Sequence, residues 1–102
     1  MKKILIIEDD MNIRESIDDL LQMKGYETLV AANGEEGLEI SRKSELDLVL
    51  CDIMMPGLDG YGVLKEMRKS YKTVNVPFIF LTAKSQKEDL RSGMKLGADD
   101  YL

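Results

Sequence analysis

Three stretches of this sequence place oxygen-bearing side chains directly after short apolar runs. Ile4-Leu5-Ile6-Ile7 leads into Glu8-Asp9-Asp10, Leu48-Val49-Leu50-Cys51 into Asp52, and Phe78-Ile79-Phe80-Leu81 into Thr82. Carboxylates gathered in one pocket repel one another and partly protonate unless a cation offsets them. A hard divalent ion with oxygen ligands and retained waters, Mg²⁺ before others, is the natural relief. Thr82 would add a neutral hydroxyl able to donate to an anion at the same mouth. The chain has no His, and its one Cys, Cys51, lies in an apolar run where it reads as a small buried hydrophobe. Zinc-type and His-relay sites therefore drop out, and acid–base or metal chemistry falls to carboxylates.

The 102 residues, 44% of them apolar, make one domain, and 14 Lys+Arg against 19 Asp+Glu leave it at −5. With 6% aromatic residues and no Trp, the core must come from Ile, Leu, Val and Met, and the seven Met read mostly as gap-fillers or the start residue. The acidity argues against this domain gripping nucleic acid by itself, because phosphate neutralisation needs a basic surface. No apolar run is long enough to span a bilayer, and Met1-Lys2-Lys3 leads into only the short run ending at Ile7, so neither a membrane contact nor a secretory leader is expected. The expected location is cytoplasmic, in keeping with a lone thiol.

Short apolar runs alternate with amphipathic stretches, a βαβαβ rhythm. The spacing predicts strands over 3–7, 26–31, 46–51, 78–81 and from 100 onward. Helices are predicted from Asn12 to Gly25, over 35–43, around Val63 to Lys69, and from Ser85 to Gly97 behind a capping box with Glu88. In the first helix Ile13, Ile17, Leu20 and Leu21 form the apolar side, with Arg14, Glu15, Asp18 and Asp19 opposite and Asn12 a rival N-cap. Gly37 weakens the second helix. Strands alternating with helices imply an α/β open, doubly wound parallel sheet, which binds ligands at the carboxyl ends of its strands. In the flavodoxin-like order the first and third strands are neighbours, so Asp9 and Asp52 would share a pocket.

Taken together, Lys3 to Asp10, Asp47 to Gly60, Pro77 to Ala83 and Gly97 to Leu102 resemble the receiver domains of two-component response regulators along the whole chain. The resemblance implies the CheY-like form of the flavodoxin-like sheet, strand order 2-1-3-4-5. It implies that Asp52 is the phosphoacceptor, taking a phosphoryl group from a sensor histidine kinase or phosphotransfer protein. It further implies that Mg²⁺ is held by Asp9, Asp52 and the backbone carbonyl of Met54, with Glu8 acting through a water. Thr82 would be the switch hydroxyl and Tyr101 the switch aromatic. Such a domain is a self-modifying signalling switch rather than an enzyme. The physics agrees: phosphoryl transfer asks mainly for positioning and charge neutralisation, and the new charge on Asp52 would recruit a donor such as Thr82.

Plainer readings stand beside these. Asp10 suits the positive end of a helix, Thr82 suits a strand, Tyr101 suits an edge strand, and Lys84 is a solvated charge. An FMN carrier would need a Gly/Ser/Thr-rich loop where Glu8-Asp9-Asp10 stands, and a haloacid-dehalogenase-type phosphatase would need a second Asp where Met54 stands. A phosphorylation-independent interaction module with the same fold is the remaining alternative.

One departure from the family is visible. Receivers carry a Lys a few residues past the position of Tyr101, and then a fifth helix, whereas the sequence stops at Leu102 and neither Lys84 nor Lys95 takes that place. The expectation is a receiver domain over residues 1–102 that lacks this Lys and helix, with self-association through the sheet face so uncovered.

Overall fold

A computed structural model describes residues 1–81 together with the main chain of 100 and 101. Its elements are β1 (Lys3–Ile7), α1 (Met11–Met23), β2 (Glu27–Ala31), α2 (Gly34–Lys43), β3 (Leu48–Asp52), α3 (Gly60–Lys69), β4 (Phe78–Leu81) and β5 (Asp100–Tyr101). The strands form one parallel sheet in the order β2-β1-β3-β4-β5. The sheet is the doubly wound one expected from the alternation of elements, in the strand order that the family resemblance implies. The fourth helix expected over 85–97 lies outside the described residues. Among the described residues no helix is long and apolar enough to cross a membrane.

Each helix starts where a short polar side chain takes over orphan N–H groups. Asp10 accepts from Asn12 and Ile13 at 2.9 and 3.2 Å, Asn33 from Glu36 at 2.8 Å, and Asp59 from Gly62 at 2.9 Å. The N-cap of α1 is thus Asp10 and not Asn12, because Asp10 is the last extended residue after β1. Gly25, at φ 91°, turns the chain out of α1 in the left-handed region where a side chain is strained.

The two sheet faces are covered differently. On one, Leu5, Ile7, Val49, Cys51, Phe78 and Phe80 meet Leu38 of α2 and Val63, Leu64 and Met67 of α3 in the larger core. Tyr61 packs edge-on against Phe80, and Phe78 against Phe80, with ring centroids 5.1 and 5.2 Å apart. On the other, Ile4, Ile6 and Leu50 meet Ile17 and Leu21 of α1, with Leu48, Ile79 and Leu81 half-buried beside them.

Two expectations are corrected here. The inward side of α1 runs through Arg14, Ile17, Asp18 and Leu21, while Ile13 and Leu20 are exposed. Arg14 and Asp18 face inward because both find partners there: Arg14 Nη1 donates to the Glu8 carbonyl at 2.9 Å, and Asp18 accepts a short bond from the Thr28 hydroxyl of β2. Among the described residues, the methionines beyond the start residue are also not mostly core. Met55 and Met67 are buried, whereas Met1, Met11, Met23 and Met54 are exposed.

Gly37 has a packing role. A Cβ at this position would come within 2.8 Å of Ile7 Cγ1, so the missing side chain lets α2 lie close on β1. That proximity offsets the intrinsic helix cost of glycine, about 1 kcal/mol.

Candidate functional site

The parallel register builds the site. Ile7 of β1 pairs with Cys51 of β3, so the next residues, Glu8 and Asp52, leave the sheet side by side, with Asp9 one step further. Carboxylate oxygens of Glu8, Asp9 and Asp52 lie within 4.8 Å of one another. Asp52 in turn pairs with Leu81 of β4, after which the chain reaches Thr82.

Burial and mutual repulsion set the charge state of this cluster. Glu8 is 4% exposed, and its Oε2 finds no hydrogen-bond partner. Burial, then a hydrogen bond shared with Asp52, then the negative charges of Asp52 and Asp9 push the Glu8 carboxyl up to about 8. Asp52 is also raised, first by burial; the Glu8 hydrogen bond and the Met54 main chain oppose this, while the Asp9 charge adds to it. The pair behaves as a protonated Glu8 donating to an Asp52 carboxylate. An orphaned buried oxygen among three converging carboxyl groups is the donor set that a hard divalent cation fits, since the ion would supply the missing partner and offset the repulsion.

The loop after β3 frames the cluster. Ile53 and Met55 are buried in the core, while the Met54 side chain between them is 78% exposed. Met54 can therefore contribute to the site only through its main chain. Beyond it, Gly60 is the first residue of α3, and its N–H donates to the Ile53 carbonyl at 2.9 Å. A Cβ on Gly60 would lie 2.8 Å from Ile53 Cα and closer still to the Asp52 carbonyl oxygen. Sequence reasoning placed Gly60 only at the end of the Asp47 to Gly60 stretch and gave it no role of its own. Its signal was its place inside the first turn of a helix, already capped by Asp59, where no turn needs a glycine.

Cys51 is fully buried, and burial pushes its thiol up, so it is an inert neighbour of Asp52. Thr82, Lys84 and the side chain of Tyr101 lie outside the described residues; the main chain of Tyr101 forms β5, paired with Phe80.

Comparison with known proteins agrees with this geometry. Residues 4–102 match the family model for the response regulator receiver domain. A probable transcriptional regulator, ycf27, of Cyanophora paradoxa is 46% identical over 101 residues, covering 99% of this chain and 41% of the relative. The chain thus spans about two-fifths of the length of the curated relatives it matches. Among solved structures, the chemotaxis protein CheY4 of Vibrio cholerae superposes with a TM-score of 0.97 at 31% identity, covering all of this chain and 85% of that one. The response regulator TrrA of Thermotoga maritima, solved in complex with Mg²⁺ and a beryllium fluoride, is 42% identical with a TM-score of 0.88, covering all of this chain and 85% of its own.

Proposed function

The chain belongs to the response regulator receiver domain family, and from that premise we propose that Asp52 is its phosphoacceptor, supplied by a sensor histidine kinase or phosphotransfer protein. The observation that carries this reading is the in-register exit of Glu8 and Asp52 from adjacent strands, with Asp9 beside them, at the carboxyl edge of the sheet. In the transfer an Asp52 carboxylate oxygen bonds to phosphorus, and the bond from phosphorus to the donor imidazole nitrogen breaks. The imidazole keeps the electron pair of that bond.

Asp9, Asp52 and the Met54 carbonyl would hold Mg²⁺ directly, with Glu8 acting through a water. When bound, the ion neutralises charge on the phosphoryl oxygens. Asp52 supplies the nucleophile, Asp9 and Glu8 tune its ionisation, and buried Ile53 anchors the main chain directly after it. Thr82 is the proposed donor to the phosphoryl oxygens, and Tyr101 the aromatic that follows its movement. The new charge on Asp52 biases the loops around it, so the output is a change of surface shape. The name of the Cyanophora relative makes control of transcription the proposed end of the pathway.

The test incubates the chain with Mg²⁺ and a small acyl phosphate and reads intact mass beside Asp52→Ala. One phosphoryl group on the parent chain and none on the variant is expected. Equal labelling of both, or none on either where a complete receiver is labelled, overturns the assignment and leaves a phosphorylation-independent interaction module.

A further inference from the structure

The loop carrying Met54 is fastened at its start by buried Ile53 and Met55 and at its end by Asp59 and Gly60. Its midsection is held from outside, by α2. The Leu58 N–H donates to Glu35 Oε1 at 3.1 Å, across 23 residues of sequence. Two glycines make room for that bond. Gly57 adopts φ 75°, and a Cβ there would sit 3.1 Å from Glu35 Oε1, crowding the carboxylate. Gly34, the first residue of α2, would meet the Leu58 carbonyl oxygen at 2.5 Å if it carried a Cβ. The main chains of loop and helix are therefore in direct contact, and the Glu35 carboxylate bonds the loop at that contact.

We infer that Glu35 is a positioning residue for cation binding: it holds the loop so that the Met54 main chain stays beside Glu8, Asp9 and Asp52. The inference rests on the Mg²⁺ reading given above. Glu35 is exposed and lies outside the Glu8, Asp9 and Asp52 cluster. Its effect passes through Leu58 and the loop, as outer-shell groups act on the ligands they orient. Because the carboxylate is exposed, its loss relaxes the loop locally without opening the core.

The experiment titrates Mg²⁺ calorimetrically into the full chain, into Glu35→Ala, Glu35→Gln and Glu36→Ala, and records hydrogen exchange at the Leu58 amide without Mg²⁺. Glu36 is an exposed neighbour that controls for loss of charge on the same turn. Glu35→Ala should raise the Kd about tenfold, the low end of what outer-shell partners carry, and speed exchange at Leu58, with an unchanged unfolding midpoint. Glu35→Gln should restore most of the affinity, because its amide oxygen accepts the same N–H. Glu36→Ala should bind as the parent does. Parent-like affinity in Glu35→Ala, or failure of Gln to rescue, overturns the role of Glu35 alone. A parent chain that binds no Mg²⁺ overturns the cation reading itself, and the inference with it.

Discussion

Gly60 lies against the main chain of Asp52. Its N–H holds the Ile53 carbonyl at 2.9 Å, and any Cβ it carried would lie 2.8 Å from Ile53 Cα, with the Asp52 carbonyl oxygen nearer still. The end of β3 and the start of α3 are thus in backbone contact directly beneath the proposed phosphoacceptor. Backbone cannot step aside as a flexible side chain can, so Gly60→Ala must move either α3 or the Asp52–Ile53 segment. Overpacking of this kind costs about 1–3 kcal/mol. Urea unfolding should show that loss, and acyl-phosphate labelling of Asp52 should fall with it. A variant as stable and as readily labelled as the parent would show that the contact positions nothing.

Protonation of Glu8 gives stability a definite dependence on pH. In the fold its carboxyl is pushed up to about 8, against 4.5 when unfolded. Below about 4.5 both states hold the proton; between there and 8 the folded state keeps a proton that the unfolded chain has lost. This contribution is therefore complete at low pH and is lost as pH rises toward 8, and the raised Asp52 carboxyl acts with the same sign. Unfolding in the absence of divalent ions should show the parent losing stability relative to Glu8→Gln across that window, by at most about 1.4 kcal/mol per pH unit per proton. A difference that stays level from pH 5 to pH 8 would contradict it (pH values set about the ordinary carboxylate range and the raised one).

Removing the Asp9 charge separates repulsion from ligation. That charge raises both Glu8 and Asp52, so without added cation Asp9→Asn should unfold at higher urea than the parent near neutral pH. The parent should gain stability on adding Mg²⁺, about 2.7 kcal/mol at a hundredfold excess over Kd, and a chelator should reverse the gain. Asp9→Asn should gain little. A full response in the variant would remove Asp9 from the ligand set.

How much of this was legible depended on what each residue's type commits it to. β1 and β4 have the bounds their apolar runs predict, because strands covered on both faces need little else. The carboxylate cluster followed from strand order, since each acid sits at a strand's end. The inward face of α1 was misread because Arg14 and Asp18 look like surface residues. Only the fold brings the Glu8 carbonyl and the Thr28 hydroxyl within their reach. Gly60 and Gly37 were hidden differently: glycine in a sequence signals a turn as readily as a close approach, and its meaning lies in Asp52 and Ile7. Glu35 gave no sign, because its partner Leu58 belongs to another element.

Arg68 gives a contrasting case, where stability and the site should part. From the last turn of α3 its Nη1 donates to the carbonyls of Thr73, Val74 and Val76 at 3.3, 3.1 and 2.8 Å. These carbonyls belong to the segment leading into β4, whose first residue, Phe78, pairs with Val49 near the start of β3. Asp52 stands at the other end of that strand. Inside the same segment the Thr73 hydroxyl, buried, donates to the Met67 carbonyl at 2.6 Å, so the turn and α3 are bonded from both sides. Hydrogen bonds from a charged donor contribute about 1.5–3 kcal/mol, and Arg68→Ala leaves several carbonyls to water or to nothing. The variant should lose stability in that range in urea. Its Mg²⁺-induced gain in stability and its labelling at Asp52 should match the parent's when compared well below the unfolding transition. Loss of labelling under those conditions would mean that the segment before β4 communicates with the carboxylate edge, and that the two ends of the sheet are not independent.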